Sequence, residues 1–280
     1  MSTFADYSSA SKVYDSTRKA EACEIWLGAL ATFAPVALAD IRLLDGGCGT
    51  GNYTAALWPH VARVNGVDFN EGMLDQAGAK LGEAVAGDRV KLEQGSLLAL
   101  PFEDQTFHAM MINQVLHHLE DGTDLAYSGH RAAVSEAARV LQPGGLLLVN
   151  ACSHRQLSDG FWYNRLIPKG LEVCKRRIAP TALFRQMLNE AGFEIIARHV
   201  PAEAVMQGDT YFRLEGALDP DWRAGDSIWA MAPEAEVEQA CERVRRLIET
   251  QSGHGWLAEQ DSQRPHVGQL TFWIARRTNQ

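Results

Sequence analysis

Ten residues constrain this chain more than any others: Leu43-Leu44-Asp45-Gly46-Gly47-Cys48-Gly49-Thr50-Gly51-Asn52, with four glycines behind a short apolar run. An apolar strand that ends in an acid and runs into closely spaced glycines must turn sharply. It then presents backbone, not side chains, to whatever lies at the turn. A helical pattern follows from about Asn52 to His60. In open α/β sheets, ligands sit in the crevice outside the carboxyl ends of such strands. The glycines at 47, 49 and 51 spell G-x-G-x-G. A dinucleotide fingerprint needs G-x-G-x-x-G, and Asn52 stands where its third glycine belongs. The loop is therefore built for close backbone approach, but not for a pyrophosphate seated on a helix N-terminus.

Strand-like and helix-like patterns alternate from about residue 41 to residue 200. Strands are expected at Ile41–Asp45, Val64–Asp68, Val90–Glu93, Phe107–Asn113, Leu146–Val149 and Phe193–Val200. Helices are expected at Glu71–Ala84, at His130–Leu141 (stopped by Gln142-Pro143-Gly144-Gly145) and at Thr181–Ala191. This rhythm predicts an α/β fold, a mainly parallel sheet with helices on both faces. A last strand is expected at Gln269–Arg276. The stretch before it fits no βα rhythm and carries one clear helix, Pro233 to about Glu249, with Pro233 placed at the first helical position. The expected organisation is an N-terminal helical lid (1–38), a core (39–200), an insertion (201–268) and a final core strand (269–280).

Composition narrows the function classes. The chain has 280 residues, 46% hydrophobic and 22% charged, enough for a core without disulfide or metal staples. Lys plus Arg is 26 against 35 Asp plus Glu, a net charge of −9. That balance argues against a nucleic-acid partner and against polybasic membrane anchoring. No apolar run approaches the roughly 18 residues of a membrane span. Met1-Ser2-Thr3-Phe4-Ala5-Asp6 shows no signal-peptide pattern. The five cysteines are Cys23, Cys48, Cys152, Cys174 and Cys241, an odd number with wide spacings and no C-x-x-C. Reduced thiols, a cytoplasmic setting and no metal site are expected.

Further site residues follow from strand ends. Asp68 closes Gly66-Val67-Asp68, where a carboxylate can accept two ribose hydroxyls. Phe69 can lie along a purine face, and the Ser96 hydroxyl in Gly95-Ser96-Leu97 can accept from an exocyclic amine.

At these motifs the sequence resembles the class I S-adenosylmethionine-dependent methyltransferases. The nearest flavour is the group of ubiquinone/menaquinone C-methyltransferases and many small-molecule methyltransferases. The resemblance runs in order through LLDGGCGTGNYT, GVDFNEGML, GSLLALPFEDQTF, NQVLHHLED and ARVLQPGGLLLV, residues 43 to 149. It implies a Rossmann-like sheet whose last strand runs antiparallel beside the sixth, with S-adenosyl-L-methionine as cofactor. It also implies cofactor contacts at Asp45, Gly46, Gly47, Gly49, Gly51, Asp68, Phe69, Ser96, Leu97 and Asn113. In the Tyr-Asp-x-x-Arg pattern, Tyr14 and Arg18 are expected as a lid over the methionine end. Two positions depart from the family pattern: Ser96 replaces a frequent Asp, and His108 replaces an Asp of structural role.

The implied partner is a small-molecule methyl acceptor, in a chain whose oligomeric state the sequence leaves open. A sulfonium methyl is already activated, so positioning can supply much of the rate, and a base matters only for a protonated acceptor. His154, after the fifth strand, and His117 are the catalytic candidates, each against a packing or solvated role, and His118 beside His117 stays open. Trp162, Tyr163, Tyr211, Phe212, Trp222 and Trp229 are candidates for an acceptor wall or for ordinary core. The surroundings of Cys174 look like one arsenic-binding cysteine of arsenite methyltransferases, without the expected downstream thiol. No carboxylate-rich base constellation is visible, which tips the acceptor toward a small thiol or sulfide. An O- or C-acceptor of quinone-like or phenolic type comes next, then arsenite. A non-catalytic adenosylmethionine-binding module and a nicotinamide oxidoreductase are the competing classes.

Overall fold

The computed structural model describes residues 20–278 except 202 and 204. Tyr14 and Arg18 lie outside the described residues. In chain order the elements are α1 (Cys23–Phe33), β1 (Arg42–Gly46), α2 (Asn52–Leu57), β2 (Arg63–Asp68), α3 (Glu71–Lys80), α4 (Gly82–Ala86), β3 (Val90–Gln94), β4 (Phe107–Asn113), α5 (Ser128–Val140), β5 (Leu141–Ala151), α6 (His154–Asp159), α7 (Pro168–Arg176), α8 (Thr181–Glu190), β6 (Phe193–His199), α9 (Pro220–Ala224), α10 (Ser227–Met231), α11 (Glu234–Glu249), α12 (Gly253–Asp261), α13 (Arg264–Val267) and β7 (Thr271–Arg277). Short 3-10 turns connect several of them.

The strands form one seven-stranded sheet in the order β3-β2-β1-β4-β5-β7-β6. β1 to β5 pair parallel. β7 inserts antiparallel between β5 and β6. This is the Rossmann-like arrangement expected from the sequence, last strand included. Chain order reverses between β1 and β4, so the loops leaving these two strands diverge and open a crevice at their carboxyl ends.

The inner strands are buried on both faces, which is why they read as apolar runs. Leu43, Ala109, Met111, Leu146 and Leu148 pack into one core cluster with Trp26 and Leu30 of α1. Leu44, Met110, Ile112, Leu147 and Val149 point the other way, against Ala133 and Val134 of α5 and Phe184 and Leu188 of α8. Each leucine buried there contributes about 1.5–3 kcal/mol. α3 is started by Asn70, whose side chain accepts the Met73 N–H at 3.0 Å.

Three local expectations shift. The helix read as Glu71–Ala84 breaks after Lys80, where Gly82 follows, into α3 and α4. β5 starts at Leu141, not Leu146. Gln142-Pro143-Gly144-Gly145 bulges inside the strand, and its register against β4 jumps between Phe107/Leu141 and Ala109/Leu146. Pro233 is the N-cap of α11, one place before the first helical position.

The segment after β6 is a set of short helices folded around buried aromatics. Trp162 Nε1 donates to the Tyr211 carbonyl at 2.7 Å, and Tyr211 OH donates to Asp261 at 2.5 Å. Trp222 stacks on Trp162 at 6.3 Å and meets Trp229 edge-on at 6.2 Å. Among the described residues, no helix is long and apolar enough to cross a membrane.

Candidate active site

A cleft opens at the carboxyl ends of β1 and β4, with an empty volume of about 1300 Å3, part of it open to solvent. The glycine-rich loop forms one wall. Gly47 and Cys48 both donate their N–H to the Val67 carbonyl, at 2.7 and 3.0 Å, tying the loop to the end of β2. Gly47 has φ +76°, and an added Cβ would strike Val115 Cγ2 at 2.5 Å. Gly49 has φ +52° with open space where a Cβ would stand. The loop therefore exposes bare backbone toward the cleft, a cradle that any side chain would fill.

Asp68 shapes this cradle. Its Oδ2 accepts the Gly49 N–H at 2.8 Å and its Oδ1 accepts the Asn70 N–H at 2.9 Å. Each oxygen keeps a second lone pair for a hydroxyl. Burial raises its pKa, and the backbone N–H bonds oppose that. Phe69, next along, is 57% exposed, as a stacking platform would be. Ser96 already accepts the Leu98 N–H at 3.1 Å, so its hydroxyl hydrogen, more than its oxygen, is left for a base. Leu97 is buried in the core, and the side chain that sequence reasoning placed at the cofactor lies against Gly46 instead.

Asp45 lines the cleft beneath the loop and is 2% exposed. Burial pushes its carboxyl up to about 7; the Thr54 hydroxyl, donating at 2.6 Å, pulls it down, and Asp68 adds a further push upward. His108, at the altered family position, accepts the Arg42 N–H through Nδ1 at 3.0 Å. Its role is to fasten β1 to β4.

Strand ends β4 and β5 supply an amide chain. Asn150 Nδ2 donates to Asn113 Oδ1 at 2.8 Å, Gln114 Nε2 donates to Asn150 Oδ1 at 3.2 Å, and Cys152 Sγ donates to Gln114 Oε1 at 3.6 Å. His117 follows, its Nε2 3.2 Å from Ser227 Oγ. His118 packs on it with ring centroids 3.9 Å apart. Burial, with Arg177 nearby, lowers the His118 pKa to about 4, so this ring is neutral at neutral pH.

The structure brings Asp45, Gly47, Gly49, Asn113 and His117 to one cleft. His154 does not join them. It faces a second cavity behind β5, with Nε2 bonded to the Ile178 carbonyl at 2.7 Å. The six aromatics expected as an acceptor wall are absent from the cleft lining. Five are buried in the core of the late segment, and Phe212 is 47% exposed. Sequence reasoning missed Asp226. It is 4% exposed, lines the cleft, caps α10 through the Ile228 N–H at 2.8 Å, and accepts from Tyr163 OH at 2.7 Å. The Asp226-Ser227 pair before Ile228 was readable as a helix cap, but not as a cleft wall. Cys48, Cys152 and Cys174 also line the cleft. Burial drives the Cys48 and Cys174 thiols far up, so both stay protonated. Among the described residues no group of three His, Cys, Asp or Glu can hold a metal.

The sheet order and the glycine-rich loop at its crevice give the Rossmann-like fold of the class I methyltransferases. Residues 44–149 match the family described as methyltransferase domain. Curated relatives include a demethylmenaquinone methyltransferase of Clavibacter sepedonicus, 28% identical over 179 residues, 64% of this chain and 65% of that protein. Another is the demethylmenaquinone methyltransferase of Lactococcus lactis, 36% identical over 123 residues, 43% and 45% of the two chains. The chain thus spans 45% to 65% of the length of these relatives. Among solved structures, a protein described as a methyltransferase of an antibiotic biosynthesis pathway in Anabaena variabilis superposes with TM-score 0.68 at 20% identity, over 92% of this chain and 98% of that one. The [4+2]-cyclase SpnF superposes with TM-score 0.56 at 18% identity, over 97% and 93%. A cyclase on the same scaffold shows that the scaffold alone does not set the reaction.

Proposed function

We propose that this chain transfers the methyl group of S-adenosylmethionine to the oxygen or ring carbon of a small phenolic or quinol-type acceptor. The observation that carries this reading is one cleft with two unlike walls. The loop wall offers bare backbone at Gly47 and Gly49, with the Asp68 carboxylate bonded to the Gly49 N–H beside it, which suits an adenosyl moiety. The opposite wall offers His117, Ser227 and Asp226, which suit an acceptor that must lose a proton.

Bound in the cleft, the cofactor supplies a methyl already activated on a sulfonium. Asp68 and Phe69 hold the ribose and base, and Asp45 faces the cationic end. Asn113 and Gln114 orient the acceptor from the strand ends. His117 takes the acceptor proton at Nε2 through the Ser227 hydroxyl, which lies 3.2 Å from that atom. Tyr163 holds Asp226 in place, where its negative charge favours the imidazolium. The cofactor, once its methyl had passed to the deprotonated acceptor, would leave as a neutral thioether. In this reading the start of the described chain and the segment after β6 serve as covers; Glu21, Met206, Ala224–Ile228 and Ala230 contribute to the lining.

The lean toward a thiol acceptor rested on a missing base constellation, and Asp226 with His117 removes that ground. The names of the curated relatives favour a quinol-type ring. The test is calorimetry with S-adenosylmethionine, followed by labelled methyl transfer to phenols, quinols, thiols, amines and arsenite. Label in the phenols or quinols is expected. Label only in thiols or arsenite overturns the acceptor class, and binding without any transfer makes the chain a cofactor-binding module. Micromolar affinity for a nicotinamide dinucleotide would overturn the class itself.

A further inference from the structure

The second cavity lies behind the end of β5 and has an empty, partly solvent-open volume of about 1460 Å3. Its wall carries Arg155, Arg198, His154 and His266, and no Asp or Glu among the described residues. His130 also reaches it, but Glu120 already bonds that ring at 3.0 Å. The first cleft is the reverse: Glu21, Asp45 and Asp226 line it, with no Lys or Arg among the described residues. In a chain of net charge −9, a carboxylate-free wall with two guanidiniums is a concentrated departure from the average. The groups are also held in place. Arg198 lies 5.5 Å from the Trp273 ring centroid, and His154 is pinned to the Ile178 carbonyl. The ten-residue helix α8 begins at this wall with Thr181, adding the positive end of its dipole.

The two cavities share a partition. Gln114, His117, Cys152 and Ile178 line both. A ligand whose anionic group lies among the arginines therefore has His117 in the wall of the same cavity. We propose that the second cavity holds the anionic group, a carboxylate or phosphate, of the methyl acceptor. The acceptor half of this statement rests on the methyl-transfer reading; the anion site itself does not. Guanidinium pairs bind such groups with charge-assisted, often bidentate hydrogen bonds. The acidic first cleft, in turn, suits the cationic cofactor and repels the acceptor's anion from the cofactor seat.

The test uses the full chain and the Arg155→Ala/Arg198→Ala double variant. Both side chains are exposed, so the fold should survive their removal. Calorimetry with inorganic pyrophosphate should show saturable binding that weakens at least tenfold in the double variant. Affinity for S-adenosylmethionine, measured on the same samples, should stay within twofold. Absent or variant-independent pyrophosphate binding overturns the anion site. Failure of adenosylmethionine to bind either protein would instead strike the methyl-transfer reading. A matched pair of phenols, with and without a carboxylate, is then titrated into the S-adenosylhomocysteine-loaded chain. The carboxylated member should bind at least tenfold tighter, and the gap should vanish in the double variant. Equal binding of the pair overturns the anchoring role, leaving a site for a free anion.

Discussion

Asp45 offers a direct test of the proposed cofactor seat, because burial suppresses its ionisation. Burial raises the carboxyl from 3.8 to about 7 in the unliganded chain. Below neutrality the buried group holds its proton, whereas an unfolded chain would have released it above about pH 4. The folded state therefore binds more protons between about pH 4 and about 7. Its stability falls as pH rises through that window. A cofactor carrying an ammonium and a sulfonium beside Asp45 reverses the preference and favours the carboxylate. Binding must then release a proton below pH 7, and affinity must climb with pH. A shift of about 3 pK units at about 1.36 kcal/mol each sets a ceiling of about 4 kcal/mol, some three decades in affinity. Water retained in the cleft will trim this, so a tenfold to hundredfold rise from pH 5 to pH 7 is expected. Calorimetry at pH 5, 6 and 7, in two buffers of different ionisation enthalpy, counts the protons. Asp45→Asn should flatten the profile at the level of the wild-type acid limb. A flat wild-type affinity with no proton released in either buffer would refute the placement of the cofactor's cationic end at Asp45.

Other consequences are more local. Asp68→Ala should weaken S-adenosylmethionine binding by about 1.5–3 kcal/mol, the scale for hydrogen bonds to a charged group; calorimetry with unchanged affinity would remove the ribose assignment. Gly47→Ala forces a side chain onto a φ of +76° and into Val115; denaturant unfolding should show a loss of about 1–3 kcal/mol. His117→Ala should lower kcat for acceptors that need deprotonation, and the loss should shrink for acceptors already ionised at the assay pH. His118, held near pKa 4 by burial, should stay neutral in an NMR titration from pH 8 to pH 5.5. Its folded pKa is depressed, so its contribution to stability is lost as pH falls from about 6.5 toward 4.

What the sequence disclosed, and what it hid, follows from the range of the interactions. β1, its glycine loop and Asp68 are local: strand, turn and strand end are written within short stretches, and each stretch carries its own constraint. Even so, Leu97 was misplaced, because period and motif do not say which way a side chain turns when the loop after β3 folds over Gly46. His154 was misplaced for a related reason. Position after β5 put it at the correct end of the sheet, but the start of α6 carries it past Cys152 to the far side of the partition. The aromatics read as a cage in sequence because no periodicity reveals that Trp162, between α6 and α7, packs with Tyr211 and Trp222 of the late segment. Their hydroxyl and indole bonds bridge about 50–60 residues of chain, and no local pattern records that.

Asp226 shows why the missing half of the site matters most for chemistry. Its carboxylate is set by two bonds of different range, from the Ile228 N–H two residues on and from the Tyr163 hydroxyl 63 residues back, and it lines the cleft that His117 also lines. Only the first is visible as a cap. The fold turns a helix-capping residue into an acid of the cleft wall, so in the proposed reading the cofactor loop and the acceptor wall come from different parts of the chain. That division explains how relatives sharing the loop can act on different acceptors. In the proposed reading the loop seats the sulfonium and the late segment supplies the groups opposite it. Asp226→Asn separates the two. The amide can still accept the Ile228 N–H, so α10 should remain capped and S-adenosylmethionine affinity should stay within about twofold. Turnover of protonated phenols should fall at least tenfold, because the imidazolium of His117 loses its counter-charge. An equal fall for acceptors already ionised would show that Asp226 shapes the wall without acting on the proton.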